Sequence, residues 1–304
     1  MKIAVTGHLG YIGSDIFNKL ANEQQVIIET LTGIDRVHGD HIQDYVLNDT
    51  YDYVIHLAAD ISVPESEINP EKYYLNNCVN YQKFLDKNRG KIKNIILAST
   101  QSVYAPTADG GVTVFPQSTY STTKLTSELI TRKYCTEEKM PDPAVLRFAN
   151  PVGISPYHNP RRRFHTNSYP NMMWILANRI IDGKVFNIHN LPGMPRDFYP
   201  LGLIYSNIRH IIGGGSFDYI TNIGSGTRLE VVPLLIAMCQ EHNIEYALTE
   251  PPAGTSLGID VSKLSNKFKL DETSIKIMLN MELDGYVNYI RNSEATTNAS
   301  ISSD

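Results

Sequence analysis

The chain has 304 residues, 42% of them hydrophobic and 19% charged, enough for one large domain or two coupled ones. Twenty-seven Lys and Arg against 32 Asp and Glu leave a formal charge of −5, which excludes the generally basic surface of a nucleic-acid binder. No apolar run approaches ~18 residues, the cysteines make no C-x-x-C pair and the histidines show no ligand spacing, so no membrane span, disulfide scaffold or metal centre is expected.

Lys2 to Thr6 is a short β-rich run, followed by Gly7-His8-Leu9-Gly10-Tyr11-Ile12-Gly13 and a helical pattern carrying Ile16, Phe17, Leu20 and Ala21. Because the apolar stretch breaks at Thr6-Gly7 it does not read as a secretory signal, and a cytoplasmic protein is expected. Val26-Ile27-Ile28 reads as the next buried strand, ending at Glu29-Thr30, with a compressed strand over Leu31 to Ile34. Tyr53 to Ala59, Asn94 to Ala98 and Ala144 to Phe148 are further strand signals, separated by helical stretches around Tyr73 to Leu85 and Ser121 to Glu138. Short apolar strands alternating with helix-length segments predict repeated βαβ units and a doubly wound parallel α/β sheet.

After Asn150 the texture changes. Pro151 to Pro170 reads as a long loop containing Arg161-Arg162-Arg163, a run that is most often simply solvated. Regular signals resume at Met172, and Asn222-Ile223-Gly224-Ser225-Gly226 is a turn before a helix with Val231, Leu234, Leu235 and Met238. The expected division is a dinucleotide-binding domain over 1–150, completed by about 184–212. A smaller substrate-binding region takes 151–183 and 213–291, and 292–304 reads as a disordered tail of Ser, Thr, Asn and Ala.

Three glycines at positions 7, 10 and 13 between a strand and a helix allow a tight turn and a close approach of backbone to a pyrophosphate. Tyr120 and Lys124 are four apart at the start of a helix and share a face, where an ammonium would lower a phenol pKa. The polar cluster Ser99-Thr100-Gln101-Ser102 follows an apolar strand, at the sheet edge where ligands of parallel α/β folds bind. A hydroxyl there can hold a substrate oxygen beside Tyr120. These residues alone support hydride or proton transfer at a carbinol carbon with a nucleotide cofactor.

Taken together the residues resemble the extended short-chain dehydrogenase/reductase family of the NAD-dependent epimerase/dehydratase type, especially nucleotide-sugar enzymes like UDP-glucose 4-epimerase. The matches run in order over roughly residues 1 to 285. They are Thr6-Gly7-x-x-Gly10-Tyr11-Ile12-Gly13, His56-Leu57-Ala58-Ala59 with Ser62-Val63, and Tyr74-x-Asn76-Asn77. Ser99-Thr100-x-x-Val103-Tyr104, the pair Tyr120 and Lys124, Arg147-Phe148-x-Asn150-Pro151-Val152-Gly153 and Arg196-Asp197-Phe198 follow.

The resemblance implies a homodimer of Rossmann-type fold that holds NAD, with NADP left open by Thr30 and Arg36. It implies cofactor contacts from Gly7, Leu9, Gly10, Tyr11, Ile12 and Gly13, from Asp35 and Arg36, and from Leu57, Ala58 and Ala59. Asn77, Ala98, Lys124, Phe148, Asn150 and Val152 complete that set, and Glu29 is a candidate partner for the ribose 2′-hydroxyl. Thr100, Tyr120 and Lys124 are the implied catalytic residues, and Ser62, Thr100, Tyr120, Asn150, Asn171 and Arg196 the implied contacts to a nucleotide-diphospho-sugar. No metal is implied.

Three departures bear on the substrate. Gln101 and Ser102 stand where the family's dehydratases carry Asp-Glu, Ile61 stands where some epimerases carry Lys, and Pro252-Ala253-Gly254-Thr255 lacks the family's late Arg. The first speaks against dehydration. The last leaves Arg196 as half a diphosphate clamp, for which one of Arg161 to Arg163 is the expected replacement. A 4-ketosugar reductase and a non-catalytic dinucleotide sensor are the competing readings.

Overall fold

A computed structural model of the chain describes residues 1–104, 113–155, 172–189, 195–227, 229–250 and 270–301. Five of the sheet strands come from the first half: β1 (Lys2–Thr6), β2 (Thr30–Ile34), β3 (Tyr53–His56), β4 (Ile95–Thr100) and β5 (Ala144–Phe148). Two short strands, β6 (Asn150–Val152) and β7 (Phe186–His189), and then β8 (Pro195–Arg196) and β9 (Phe198–Pro200), lie outside the sheet. β10 (Ile220–Ile223) returns to it beside β5, so six strands run in the order β10-β5-β4-β3-β1-β2, all parallel. The doubly wound α/β expectation therefore holds. Ile220 to Ile223, expected in the substrate-binding region, is in fact the sixth strand.

The chain passes from β1 outward to β2 and then crosses back to β3 on the other side of β1. Strand order reverses there, which opens a crevice above the carboxyl ends of β1 and β3. Two apolar layers cover the sheet. Ile3, Val5, Ile16, Ile55, Ile204 and Ile208 fill one face, and Ala4, Val54, Tyr81, Phe84, Leu97 and Val145 the other. A separate core of Met173, Leu176, Phe186, Leu235, Met238, Leu279 and Leu283 builds a second lobe. Each fully buried Leu or Ile contributes ~1.5–3 kcal/mol.

Val26 to Ile28 is not a strand, and Ile27 is 82% exposed. β2 starts later because its pairing with β1 begins at Lys2 opposite Thr30. At the far end, residues 292–301 continue the helix Glu272–Ile301 where a disordered tail was expected. A helix already nucleated by its packed Leu279, Leu283 and Tyr286 turns extends cheaply through Ala and Glu.

Helix α1 (Tyr11–Ala21) follows β1, and α2 (Val63–Ile68) and α3 (Pro70–Tyr74) follow β3. A π-helical turn over Leu75–Val79 joins α3 to α4 (Asn80–Lys87). The helix that carries the Tyr/Lys pair, α5 (Thr119–Glu137), opens on a capping box in which Ser118 accepts from the Ser121 backbone N–H at 3.1 Å. Its buried face is made of small hydroxyl residues. Ser127 and Thr131 donate back to the carbonyls of Thr123 and Ser127 at 2.8 and 2.7 Å, so the helix can lie close to its neighbours without orphaned polar groups.

Among the described residues no helix is long and apolar enough to cross a membrane, and no cluster of His, Cys, Asp or Glu could hold a metal.

Candidate active site

Gly7 leaves β1 with a φ of +71°, a backbone state that side chains resist, and a Cβ there would meet the Ala58 nitrogen at 2.8 Å. A Cβ on Gly13 would lie 2.0 Å from the Gly7 carbonyl oxygen, so only glycine allows α1 to start so close to β1. Gly10 caps α1 through its backbone alone. No side chain caps that helix and no acidic residue stands in its first turn, which leaves its N–H groups and positive dipole end for an anion. Gly13→Ala should therefore abolish dinucleotide binding or folding outright. Titration with NADH, followed by circular dichroism, distinguishes the two, and unchanged affinity would refute the packing argument.

The loop forms one wall of a cleft of about 530 Å³ at the strand-order reversal. Gly7, Leu9, Gly10, Tyr11, Asp35, Arg36, Leu57, Ala58 and Ala59 line it, all of them expected cofactor residues. Asp35 ends β2 with both carboxylate oxygens held, accepting from the backbone N–H of Leu9 at 3.1 Å and of Val37 at 3.0 Å. Arg36 reaches across to Asp60 at 3.4 Å.

Glu29 is corrected. It lies before the first residue of β2, its carboxylate is 3.8 Å from the chain's amino terminus, and it sits at the end of the sheet away from the glycine loop. Asp35 holds the position that Glu29 was expected to fill. Ile12 is half-buried against the core, and with Gly13 it supports the loop from behind instead of lining the cleft.

Asn77 is buried with its amide fully used. It donates to the Asp60 carbonyl at 3.0 Å and to the Thr123 hydroxyl at 3.0 Å, and its oxygen accepts from the Asp60 N–H at 2.8 Å. It clamps the loop after β3 to α5. The π-helical turn instead directs Asn76 to the cleft, where it donates to the Asp60 carboxylate at 2.6 Å, and Asn80 lines the cleft with it. Sequence reasoning missed Asn76, Asn80 and Asp60, because a π turn breaks the 3.6-residue periodicity that assigns helix faces.

β4 ends in Thr100. Its hydroxyl accepts from the Ser102 N–H and donates to the Ser102 hydroxyl, both at 3.1 Å. It also stands beside the Tyr120 phenol, whose ionised form it favours. Tyr120 is held at its backbone by the buried Ser66 hydroxyl, 3.0 Å from its N–H. Ser62, expected to touch substrate, spends its hydroxyl as the cap of α2, accepting from Glu65 at 3.2 Å.

Burial pushes the Tyr120 phenol up to about 12, and the Thr100 hydroxyl beside it opposes that rise. The expected lowering by Lys124 is not found. Lys124 is buried and brought down to about 8, with Glu128 one turn on and Cys78 opposing that fall. Its charge is felt by the buried His56, which burial holds well below its usual range, and by Cys78. Sharing a helix face put Lys124 near the site but aimed its charge at Glu128.

Glu128 is itself the hub of a buried cluster. Arg147 on β5 grips both its oxygens, at 2.9 and 2.6 Å, and Ser99 donates to it. The guanidinium lies over the Tyr104 ring, 4.7 Å from its centre, and the Tyr104 hydroxyl donates to Asn222 at 2.7 Å. Ala98, Phe148 and Val152 lie at or just past the same strand ends, with Phe148 opposite Thr100. Asn150 ties β6 to β9, its amide donating to the Asp197 carbonyl at 2.8 Å.

Arg196, on β8, is partly buried and its guanidinium is lowered by burial. The neighbouring Asp197 carboxylate accepts from the Ser225 N–H and hydroxyl and from the Gly226 N–H at 2.7–2.9 Å, which anchors the strand pair to the 222–226 turn. Asn171, Arg161 to Arg163 and Pro252 to Thr255 lie outside the described residues.

The sequence matches the model of the NAD dependent epimerase/dehydratase family over residues 3–191. The chain belongs to that family. It is 31% identical over 177 residues to a UDP-glucose 4-epimerase of Halalkalibacterium halodurans, covering 51% of this chain and 52% of that protein. The chain thus spans about half the length of the first curated relatives it matches. A UDP-glucose 4-epimerase of Haemophilus influenzae aligns more widely, over 84% of this chain and 87% of its own, at 25% identity. In fold the chain is similar to a UDP-N-acetylglucosamine 4-epimerase from Methanobrevibacter ruminantium, with a TM-score of 0.74, 23% identity and 95% and 98% of the two chains covered. It is equally similar to a dTDP-glucose 4,6-dehydratase from Streptomyces venezuelae, with a TM-score of 0.76, 18% identity and 92% and 96% covered.

Proposed function

We propose that this family member is a nucleotide-sugar 4-epimerase that uses NAD. The observation that carries the reading is Thr100 standing beside Tyr120 at the carboxyl end of β4, on the same sheet edge as the glycine-loop cleft. The cleft fits a dinucleotide, since its volume, the side-chain-free backbone at Gly7 and Gly10 that lines it and the uncapped start of α1 all suit a pyrophosphate with two nucleosides. Bound nicotinamide dinucleotide supplies a hydride acceptor and, once reduced, a donor.

Thr100 holds the sugar hydroxyl and Tyr120 takes its proton as the carbon is oxidised to a ketone. The same phenol returns the proton after the sugar turns over, so the chemistry is net neutral. A phenol lifted to about 12 is almost wholly protonated at neutral pH, so little of the basic form is present. Any positive charge brought beside it, such as an oxidised nicotinamide ring, shifts it toward the phenolate. Arg196 meets the substrate diphosphate. The fixed carboxylate of Asp35, with Asp60 behind it, repels a 2′-phosphate and favours NAD over NADP.

Gln101 and Ser102 carry neither an acid nor a base for dehydration. A face exposing Tyr74, Leu75, Val79 and Leu129 on the α3, π-turn and α5 segments supports a homodimer.

The experiment is to incubate the purified protein with UDP-glucose and UDP-galactose and resolve the products by proton NMR. Interconversion without added cofactor is expected. Net consumption of added NADPH would instead identify a ketosugar reductase, and failure of UDP, dTDP and GDP sugars alike would exclude a nucleotide-sugar enzyme.

A further inference from the structure

Gln101 is a buried side chain, 8% exposed, whose amide oxygen has no hydrogen-bond partner. Asn280 is the one other carboxamide among the described residues with such an oxygen, whereas two that are buried more deeply are fully paired. Asn77 satisfies both ends of its amide, and the fully buried Asn88 accepts from Leu47 at 2.7 Å and donates to Tyr45 and Phe84 at 3.0 and 2.8 Å. An acceptor taken out of water and left unpaired is costly, so an orphan of this kind needs a reason.

The backbone around Gln101 is pinned on both sides. Thr100 caps the single turn Gln101–Val103, the Gln101 carbonyl accepts from Tyr104 at 3.0 Å, and the Tyr104 hydroxyl is tied to Asn222. Only the side-chain torsions are left free. Gln101 therefore follows directly on Thr100, the residue whose hydroxyl holds the reacting oxygen, with about 3.8 Å between their Cα atoms.

We propose that Gln101 is a specificity residue: its amide turns to accept a hydrogen bond from a sugar hydroxyl beside the carbon oxidised, on the adjacent ring carbon or at the end of the adjacent exocyclic arm. The inference rests on the nucleotide-sugar reading above and deepens it. The orphan acceptor is the mark of a partner that arrives with the substrate, so that binding repairs a defect the free protein carries. Such a site selects for the hydroxylated sugar and against its deoxy analogues, because an analogue leaves the acceptor unpaired. The amide can neither give nor take a proton, which keeps the flanking hydroxyl in place as the carbinol reacts.

The test uses the full chain and Gln101→Met, which keeps the length and volume of the side chain and removes its polarity. kcat/KM is measured with UDP-glucose and with its 3-deoxy and 6-deoxy analogues, alongside the melting temperature. The wild type should prefer UDP-glucose over one of the two analogues by roughly ten-fold, and the variant should lose that preference. Gln101→Met should also melt higher, by roughly 2 °C, because the orphan is gone. Should the methionine variant not fold, Gln101→Glu is read instead, and it should keep the preference because a carboxylate still accepts. A variant that discriminates like the wild type, or a wild type blind to both analogues, overturns the assignment while leaving epimerase activity intact. A wild type that turns over no nucleotide sugar overturns both readings.

Discussion

Tyr120→Phe should lower turnover by roughly 10²–10⁴-fold with little change in melting temperature. The substitution removes one oxygen and leaves the ring, whose burial is the larger part of what it contributes to stability. The Thr100 hydroxyl beside the lost oxygen keeps its Ser102 partners. Binding of the dinucleotide should survive, since the cleft wall from Gly7 to Ala59 does not include Tyr120. In the wild type the oxidising half-reaction should speed up as pH rises from neutrality. A phenol pushed up to about 12 is almost wholly protonated there, and its basic form grows with every step toward that value. Stopped-flow absorbance of the reduced cofactor reads both effects. Wild-type turnover by Tyr120→Phe would remove the phenol from the mechanism.

Glu128→Leu should be the most destabilising single change outside the glycine loop, at about 3–5 kcal/mol. Both members of the Glu128 and Arg147 pair are 3% exposed, and Arg147 places two nitrogens on the carboxylate. Leucine would leave the guanidinium inside the sheet with only the Tyr104 ring for company, and would strand the Ser99 hydroxyl as well. The expected fall in melting temperature is on the order of 10 °C. The reciprocal pair of changes, Glu128→Leu with Arg147→Met, should recover much of the loss, because it removes both charges together. Urea denaturation of the three variants checks it, and a single variant as stable as the wild type would contradict the pairing.

What the sequence made legible was whatever local spacing decides. Glycines three apart between a strand and a helix can only make one sort of turn, and Tyr120 and Lys124 share a face by helical geometry alone. Non-local constraints were not legible. Val26-Ile27-Ile28 is more apolar than Thr30 to Ile34, yet pairing with β1 selected the latter and carried Glu29 to the wrong end of the sheet. β10 is a half-buried edge strand whose alternation is too short to stand out. The π turn at Leu75–Val79 reassigned two neighbouring asparagines, and no composition signals a π turn. The charge of Lys124 went to Glu128 because both are shut away from water, something spacing cannot reveal.

The two cores divide the labour of the molecule. Thr100 and Tyr120 stand on the sheet and α5, while Arg196 stands on β8, paired with Leu229 of the second core and followed by Phe198, another member of it. The parts that move protons are thus built from different packing than the part expected to recognise the ligand's charged end. Lineages can recut the second lobe residue by residue, altering which molecule is welcomed, without disturbing the layers that hold the reactive phenol. Directed evolution aimed at new sugars has its freest ground at Met173 to Ile188, Leu229 to Cys239 and Ile275 to Ile290, with Gln101 beside them in effect, and its most forbidden ground at Thr100, Tyr120 and the Glu128 and Arg147 pair.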